Sequence, residues 1–213
     1  MDAIVFDWDG TLVDSLAPLY AANVEVLASY GIAVDDTTYL RAYRPDWRQM
    51  YRDLGVPADR VEEAGLRWTR AYGLGDGAVV YPGVPEALER LAAAGYRLGV
   101  VTAGDRVIVT EQATRFGIDR LLPVRVHGDD MPETKPHPAP LLRALSELGV
   151  AQPRRAVYVG DVGDDMRMAR AVGATGIGIE GRHGSASALR RAGASEVHPS
   201  VVAWVEHFLD GRT

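Results

Sequence analysis

The first chemically suggestive feature of the chain is a pair of aspartates, Asp7 and Asp9, directly after the apolar run 3–6. The run has the length and β-branched content of a buried strand, and Gly10 then turns the chain. Alternate residues of an extended segment share a face, so both carboxylates can reach one small volume at the strand's carboxyl end. Carboxylates that close repel each other and favour a shared proton or a metal ion.

Two further acids, Asp161 and Asp165, follow another apolar run, 156–160. Asp164 lies between them, and an acid-rich turn before a helix is by itself explained as helix capping. If all four acids meet, they place up to four negative charges in one pocket, which requires a compensating cation. Oxygen ligands in a chain without cysteine suit Mg²⁺.

Thr102 and Lys135 add a hydroxyl and a cation to this set. Thr102 ends the apolar run 96–102, where it would serve either as a helix cap or, with nearby backbone N–H groups, as a phosphate ligand. Lys135 is the single lysine among 23 basic residues, the rest being arginine. A position that keeps lysine against this bias needs a compact point charge rather than a planar fork.

The elements that must position these residues alternate between strand and helix from residue 81 onward. Helices are predicted over 84–94, 106–116, 138–148, 165–172 and 201–209, and strands over 96–102, 122–126, 156–160 and 175–179. This alternation predicts a parallel sheet covered by helices on both faces. The carboxyl ends of such strands face one crevice, where the suggestive residues are expected to meet.

Residues 15–80 have a different pattern, with helices predicted over 16–27, 37–43, 46–54 and 58–72 and no convincing strand. This segment holds eight of the sixteen aromatic residues and a cluster of arginines that includes Arg44 and Arg48. We therefore expect an inserted helical domain over 15–80 within a core formed by 1–14 and 81–213.

Composition excludes several classes of protein. The 213 residues, 47% of them hydrophobic and 24% charged, are ordinary for a globular protein of one domain with an insertion. No run approaches the roughly 18 apolar residues of a membrane helix and no signal peptide is recognisable, so we expect a cytoplasmic protein without a membrane partner. The net charge of −6 argues against a nucleic-acid partner. A GxGxxG pattern at 176–181 interrupts a strand, which argues against a dinucleotide site.

Four segments resemble the motifs of the haloacid dehalogenase (HAD) superfamily, in the family's order. Phe6-Asp-Trp-Asp-Gly-Thr-Leu12 is similar to motif I, DxDGTL, and Thr102 to the Ser or Thr of motif II. Lys135-Pro-His-Pro138 is similar to motif III, and Asp161 with Asp165 to the GDxxxD of motif IV. The resemblance spans the whole chain. It implies an α/β, Rossmannoid three-layer sandwich with a central parallel sheet and a small all-α (C1) cap inserted after the first strand.

The resemblance also implies a role for each residue. Asp7 would attack phosphorus and form an aspartyl-phosphate, while Asp9 would act as general acid and base. Mg²⁺ would be held by the side chains of Asp7 and Asp161 and the main-chain carbonyl of Asp9, with Asp165 assisting. Ala103 stands where the family often has Asn or Gly, a tolerable difference because the contact there is made by backbone. The phosphoryl group would be bound by Thr102, Ala103, Gly104 and Lys135.

Within the family, a Mg²⁺-dependent phosphatase acting on a small-molecule phosphate monoester, similar to phosphoglycolate phosphatases, fits best. The alternative is a phosphotransferase similar to β-phosphoglucomutase, although the cap histidine or lysine that such enzymes use is missing from 15–80. The second aspartate, Asp9, argues against a haloacid dehalogenase, and the lack of a cap lysine excludes a phosphonoacetaldehyde hydrolase. A non-catalytic binding protein on this scaffold is disfavoured, because it would be expected to lose Asp7, Asp9 or Lys135.

The arginines of the helical segment are the candidate readers of a second anionic group on the substrate. Arg44 and Arg48 are the two that we single out, against the simpler interpretation of a solvated helix face. Trp47 and Trp68 are expected in the core of the helical segment rather than as stacking platforms. The chain is expected to be a monomer or a homodimer.

Overall fold

Strand β1 lies in the middle of the sheet, and all four of its side chains are buried there. The computed structural model describes residues 1–73, 75–181 and 184–211. Its strands are β1 (Ala3–Phe6), β2 (Val13–Asp14), β3 (Val79–Val80), β4 (Arg97–Val101), β5 (Val124–Val126), β6 (Ala156–Gly160), β7 (Thr175–Ile179) and β8 (Glu196–His198).

Six of these strands form one sheet in the order β5-β4-β1-β6-β7-β8, and every neighbouring pair is parallel. Phe6, the last residue of β1, lies opposite Val100 of β4 and Val159 of β6. The segments that follow β1, β4 and β6 therefore leave the sheet at the same edge. This arrangement confirms the predicted parallel sheet.

Helices cover both faces of the sheet, as predicted. The helices are α1 (Leu16–Ala28), α2 (Asp36–Ala42), α3 (Trp47–Asp53), α4 (Val61–Tyr72), α5 (Val84–Ala93), α6 (Arg106–Arg115), α7 (Ala139–Glu147), α8 (Gly163–Val172), α9 (Ala186–Ala192) and α10 (Val201–Asp210). Short 3₁₀ turns at Ala58–Arg60 and Pro153–Arg155 precede α4 and β6.

The side-chain alternation of β1 divides the core into two halves. Ile4 and Phe6 belong to the cluster packed by α5, α6 and α10, whereas Val5 belongs to the cluster packed by α7 and α8. Trp204 of α10 meets Phe6 edge to face, with ring centroids 6.3 Å apart. The result is the predicted α/β three-layer sandwich.

The four helices between β2 and β3, which we call the inserted helices (α1–α4), bury a cluster of their own. Its fully buried members include Leu27, Tyr39 and Tyr51. The chain leaves the sheet through β2 and returns through β3, and these two strands pair antiparallel. The prediction that 15–80 contains no strand is therefore wrong at Val79–Val80, because two residues are too few for a periodic signal.

Two elements near the end of the chain were also missed by the sequence patterns. Helix α9 has only seven residues, and edge strand β8 has only three, all of them at least partly exposed. Short, half-exposed elements carry too little apolar periodicity to be recognised. Helix α8 begins at Gly163, two residues before the predicted start.

The GxGxxG pattern begins inside β7, as expected from the sequence. Gly178 pairs with Gly160 of β6 and leaves room for Leu189, which a Cβ atom at this position would approach to 3.1 Å. The glycine therefore serves packing rather than a turn into a helix. Among the described residues, no helix is long and apolar enough to cross a membrane.

Candidate active site

Lys135 connects two of the aspartates that the sequence singled out. Its Nζ donates to Asp7 Oδ1 at 2.5 Å and to Asp165 Oδ1 at 2.9 Å, and the lysine is only 4% exposed. Burial opposes the charged form of Lys135, but the carboxylates of Asp165 and Asp7 outweigh it and hold its pKa well above the usual value. The single lysine of the chain is thus a fixed cation between strand ends.

Both carboxylate oxygens of Asp165 accept hydrogen bonds from the protein. Its Oδ1 also accepts from the hydroxyl of Tyr158 at 3.2 Å, and its Oδ2 accepts from the backbone N–H of Val162 at 3.1 Å. Burial raises the pKa of Asp165 to about 6, although Lys135 lowers it. Both oxygens of Asp165 are thus engaged by protein donors, and Oδ1 is one of the two carboxylate oxygens that Lys135 contacts.

Asp161 differs from Asp165 because one of its two oxygens has no such donor among the described residues. It is 1% exposed, and its Oδ2 has no hydrogen-bond partner among the described residues. Burial, together with the charges of Asp7 and Asp165, raises the pKa of Asp161 well above its usual value. Gly10 has a positive φ of +79° and lies so close that a Cβ atom would come within 2.6 Å of this oxygen. A buried anion that lacks a donor needs another positive partner.

The carboxylates of Asp7, Asp161 and Asp165 fit a hard divalent cation. Each offers an oxygen, and these oxygens lie within 4.8 Å of one another. Burial raises the pKa of Asp7, with Lys135 acting in the opposite direction. One lysine cannot neutralise three buried carboxylates, and oxygen is the ligand that Mg²⁺ prefers. Asp161 Oδ2 is the oxygen of this group that has no hydrogen-bond donor in the described part of the chain.

Asp9 lies beside this cluster and has a different partner. Its Oδ1 accepts from the hydroxyl of Ser15 at 2.5 Å, and its side chain is not part of the three-carboxylate group. Burial raises the pKa of Asp9, while Ser15 and Lys135 lower it. The side chain of Asp9 is therefore held by Ser15 rather than by the groups that contact the three carboxylates.

The turn after β4 faces Asp9. Thr102 is 4% exposed, and its Oγ1 accepts from the backbone N–H of Gly104 at 2.9 Å. A Cβ atom on Gly104 would lie 3.4 Å from Asp9 Oδ2, so this glycine keeps the turn close to the carboxylate. Helix α6 begins two residues later, and the carbonyl of Ala103 packs against Gly128. The turn thus brings backbone and hydroxyl groups to the edge of the site.

Arg44 and Arg48 are both engaged by acids of the inserted helices. Arg44 Nη2 lies 2.5 Å from Asp53 Oδ2, and Arg48 makes two hydrogen bonds to Glu62, at 2.6 and 3.1 Å. Arg44 lines the cavity beside Asp9, but Arg48 is not among the residues that line it. The structure therefore brings only the first of these two predicted substrate readers to the site.

Asp164 points away from the cluster. Its Oδ1 accepts two hydrogen bonds from the guanidinium of Arg167, one turn along α8, at 2.6 and 3.1 Å. The side chain is partly exposed, and the residue lies in the first turn of the helix. This geometry matches the expected role of Asp164 at the start of the helix.

Three residues near the site were given no role from the sequence. Ser15 holds Asp9, and Tyr158 holds Asp165. Trp8, between the two aspartates of the first turn, is fully buried and donates from Nε1 to Gln112 Oε1 at 2.7 Å. Ser15 lies just before helix α1, so the sequence suggests only a helix N-cap and gives no sign of its contact with Asp9.

Comparisons with known proteins show the family to which the chain belongs. The family model "Haloacid dehalogenase-like hydrolase" matches residues 4–179. A phosphoglycolate phosphatase of Nitrosococcus oceani is 34% identical over 180 residues, which cover 80% of each chain. The name phosphoglycolate phosphatase describes the activity of that relative.

Solved structures give the same fold. A protein described as a predicted phosphoglycolate phosphatase from Haemophilus somnus superimposes with a TM-score of 0.85 at 25% identity, covering 98% of both chains. A protein described as a putative β-phosphoglucomutase from Thermotoga maritima has a TM-score of 0.73 at 23% identity over 99% of both chains, and it supports the fold alone. The chain belongs to the haloacid dehalogenase-like hydrolase family and is an enzyme of its phosphatase branch.

Proposed function

We propose that the protein is a Mg²⁺-dependent phosphatase that hydrolyses a small-molecule phosphate monoester through an aspartyl-phosphate on Asp7. The observation that carries this proposal is the contact of Lys135 with both Asp7 and Asp165 beside Asp161, whose Oδ2 has no hydrogen-bond partner among the described residues. A fixed cation next to buried anions suits the binding and transfer of a phosphoryl group, which depends on positioning and charge neutralisation.

The metal-binding residues in this proposal are the side chains of Asp7 and Asp161 and the main-chain carbonyl of Asp9, with Asp165 assisting. When bound, Mg²⁺ supplies positive charge that lets the phosphate dianion enter a pocket of carboxylates and that offsets charge on its oxygens. The orphaned Oδ2 of Asp161 supports this assignment.

In the first step, one carboxylate oxygen of Asp7 attacks phosphorus and the bond to the leaving oxygen breaks. Lys135 holds the attacking carboxylate through its 2.5 Å contact and remains charged. Asp9 gives its proton to the leaving oxygen, and its raised pKa suits this role because a carboxyl group must carry a proton to donate one. The hydroxyl of Thr102 and the backbone of Ala103 and Gly104 bind phosphoryl oxygens.

In the second step, water attacks the phosphorus of the aspartyl-phosphate. Asp9, now ionised, takes a proton from this water, and the bond from phosphorus to the oxygen of Asp7 breaks. Inorganic phosphate leaves, and both carboxyl groups return to their starting states. Ser15 keeps the carboxyl group of Asp9 in one orientation for both steps through its 2.5 Å hydrogen bond.

The domain division of the sequence analysis belongs to the same proposal. We infer that 15–80 acts as a cap over the core formed by 1–14 and 81–213, and the two-stranded ribbon of β2 and β3 at the junction supports this division. The substrate is a small phosphate ester. Phosphoglycolate is the first candidate, because similar proteins carry that name. The cytoplasmic location and the monomeric or homodimeric state stay predictions from the sequence.

The test is phosphate release from a panel of phosphomonoesters, with and without Mg²⁺, by the native protein and by Asp7→Asn. We expect Mg²⁺-dependent release that falls by at least about a thousandfold in Asp7→Asn, because the nucleophile is lost. Activity that survives in Asp7→Asn would refute the nucleophile assignment. Interconversion of sugar phosphates without net phosphate release would favour the mutase alternative.

A further inference from the structure

We propose that the substrate of this enzyme carries an uncharged aromatic leaving group, bound in a cavity between the inserted helices and the sheet. This inference rests on the proposed phosphatase function, since it names the class of ester that the same site cleaves. It departs from the first candidate, because phosphoglycolate has a short, anionic leaving group.

The cavity opens onto the residues that would handle the leaving oxygen. It has a volume of about 380 Å³ and touches Asp9, Ala103 and Gly104 at the edge of the sheet. This volume lies within the range of about 300 to 1,000 Å³ found for pockets that hold drug-sized ligands. A two-carbon acid would fill a small fraction of it. Because Asp9 is the proposed proton donor, the group that occupies the cavity is the leaving group.

Aromatic rings dominate the lining on the side of the inserted helices. Trp68 stacks on Tyr72 with ring centroids 4.7 Å apart, and Trp47 meets Tyr51 edge to face at 5.9 Å. Aromatic pairs of both geometries attract, so a further ring can extend the cluster. Six aromatic residues line the cavity, namely Tyr39, Tyr43, Trp47, Tyr51, Trp68 and Tyr72.

Trp47 and Trp68 were expected in the core of the helical segment, and they are in fact at its boundary. Both side chains are only partly buried, packing against the core cluster while also lining the cavity. Gly65 allows this placement, because a Cβ atom there would come within 2.6 Å of the Trp47 ring. The rings are therefore held in position before any ligand binds, which lowers the entropic cost of binding.

The charges of the lining disfavour an anionic leaving group. The charged residues of the lining are three acids, Asp9, Glu62 and Asp105, against one cation, Arg44. Arg44 is paired with Asp53 at 2.5 Å, and no other arginine or lysine is among the described residues of the lining. A second carboxylate on the substrate would have to displace Asp53 from Arg44, and it would meet no other cation in the described part of the lining.

A pair of esters with alkoxide leaving groups of similar basicity tests the cavity separately from the chemistry. We would compare kcat/KM for 2-phenylethyl phosphate, ethyl phosphate and phosphoglycolate in the presence of Mg²⁺. We expect 2-phenylethyl phosphate to be preferred over both others by about tenfold or more, the lower end of what an apolar pocket contributes. Equal values for the phenylethyl and ethyl esters, or a preference for phosphoglycolate, would overturn the inference and leave the phosphatase proposal intact.

Two leucines provide a matched pair of variants. Leu66 lines the cavity and is 65% exposed, while Leu142 on α7 is 46% exposed and lies outside the lining. Because both are exposed, serine at either position should leave the fold intact. We expect Leu66→Ser to lower kcat/KM for 2-phenylethyl phosphate about fivefold more than it lowers kcat/KM for ethyl phosphate. Leu142→Ser should change neither, and an equal effect of both variants would contradict the proposed lining.

Tryptophan fluorescence separates this inference from the proposed function. Trp47 and Trp68 line the cavity, whereas Trp8 and Trp204 are buried in the core of the sheet. With Asp7→Asn, we expect a saturable fluorescence change on adding 2-phenylethyl phosphate and none with ethyl phosphate at the same concentration. If 2-phenylethyl phosphate changes the fluorescence in this way but the native protein hydrolyses no ester, the phosphatase proposal is refuted and the binding of an aromatic group in the cavity is supported. If neither the fluorescence change nor hydrolysis is observed, both the aromatic leaving group and the phosphatase function are refuted.

Discussion

Replacing Asp161 with asparagine is expected to stabilise the metal-free protein while removing its response to Mg²⁺. Asp161 is buried, its Oδ2 has no hydrogen-bond partner among the described residues, and oxygens of Asp7 and Asp165 lie within 4.8 Å. Asparagine has nearly the same shape and no charge. The variant therefore relieves repulsion without creating a cavity.

The magnitude can be bounded in two ways. At 4.8 Å and an effective dielectric constant of about 20, each carboxylate pair repels by about 3.5 kcal/mol. The folded protein can also avoid this repulsion by keeping Asp161 protonated. Holding a carboxyl group of ordinary pKa in its neutral form at pH 7 costs about 4 kcal/mol, which sets an upper limit on the destabilisation. Lys135 offsets part of the repulsion. We therefore expect Asp161→Asn to raise the free energy of unfolding by about 2 kcal/mol in EDTA.

The pH dependence of this gain has a definite sign. The pKa of Asp161 is raised in the folded state, so the folded protein holds a proton that the unfolded chain releases at lower pH. The contribution of Asp161 to stability is thus fully present below about pH 4 and is lost as the pH rises through its folded pKa. The advantage of Asp161→Asn over the native protein should grow between pH 5 and pH 8.

Urea unfolding with and without Mg²⁺ measures both effects. At a Mg²⁺ concentration of about a hundred times Kd, the native protein should gain about 2.7 kcal/mol and Asp161→Asn almost nothing. Asp164→Asn is the matched control, because it removes the same charge from a residue paired with Arg167 outside the cluster. A loss of stability for Asp161→Asn in EDTA, or a full Mg²⁺ response, would refute the reasoning.

Three further predictions concern Lys135, Ser15 and His127. Lys135→Met leaves two buried carboxylates without their shared cation, and urea unfolding should show a loss of about 3 kcal/mol; a negligible loss would contradict the charge assignment. Ser15→Ala frees Asp9, and kcat for ester hydrolysis should fall about tenfold with KM little changed, whereas an unchanged kcat would exclude a positioning role. Burial lowers the pKa of His127, so the unfolded chain takes up the proton first and acidification through about pH 6.5 destabilises the fold. Unfolding at pH 7.5 and 5.5 should reveal a loss of about 1 kcal/mol that His127→Asn abolishes and that His207→Asn, at an exposed histidine, retains.

Much of the fold and part of the site followed from local sequence features. The apolar run of β1 and the alternation of longer helices and strands predicted a parallel sheet, because burial and periodicity are properties of neighbouring residues. The turns after β1, β4 and β6 were predicted to meet for the same reason, since parallel strands share one carboxyl edge. The singular lysine pointed to Lys135, which does contact Asp7 and Asp165.

Other features depended on contacts that no local pattern encodes. The strands Val79–Val80 and Glu196–His198 are too short to be periodic and exist through their partners. The hydrogen bond of Trp8 to Gln112 joins residues 104 positions apart.

The sequence by itself determined that the motif residues would lie together at one edge of a parallel sheet, because residue types, their order and the periodicity of the strands can be read from the chain directly. Only the tertiary structure decided what surrounds that chemistry. It paired Arg44 with Asp53, left Asp161 Oδ2 without a donor in the described part of the chain and placed the rings of Trp47 and Trp68 in the lining of the cavity beside Asp9. Which polar groups find partners and which aromatic faces stay open depends on how whole elements pack together.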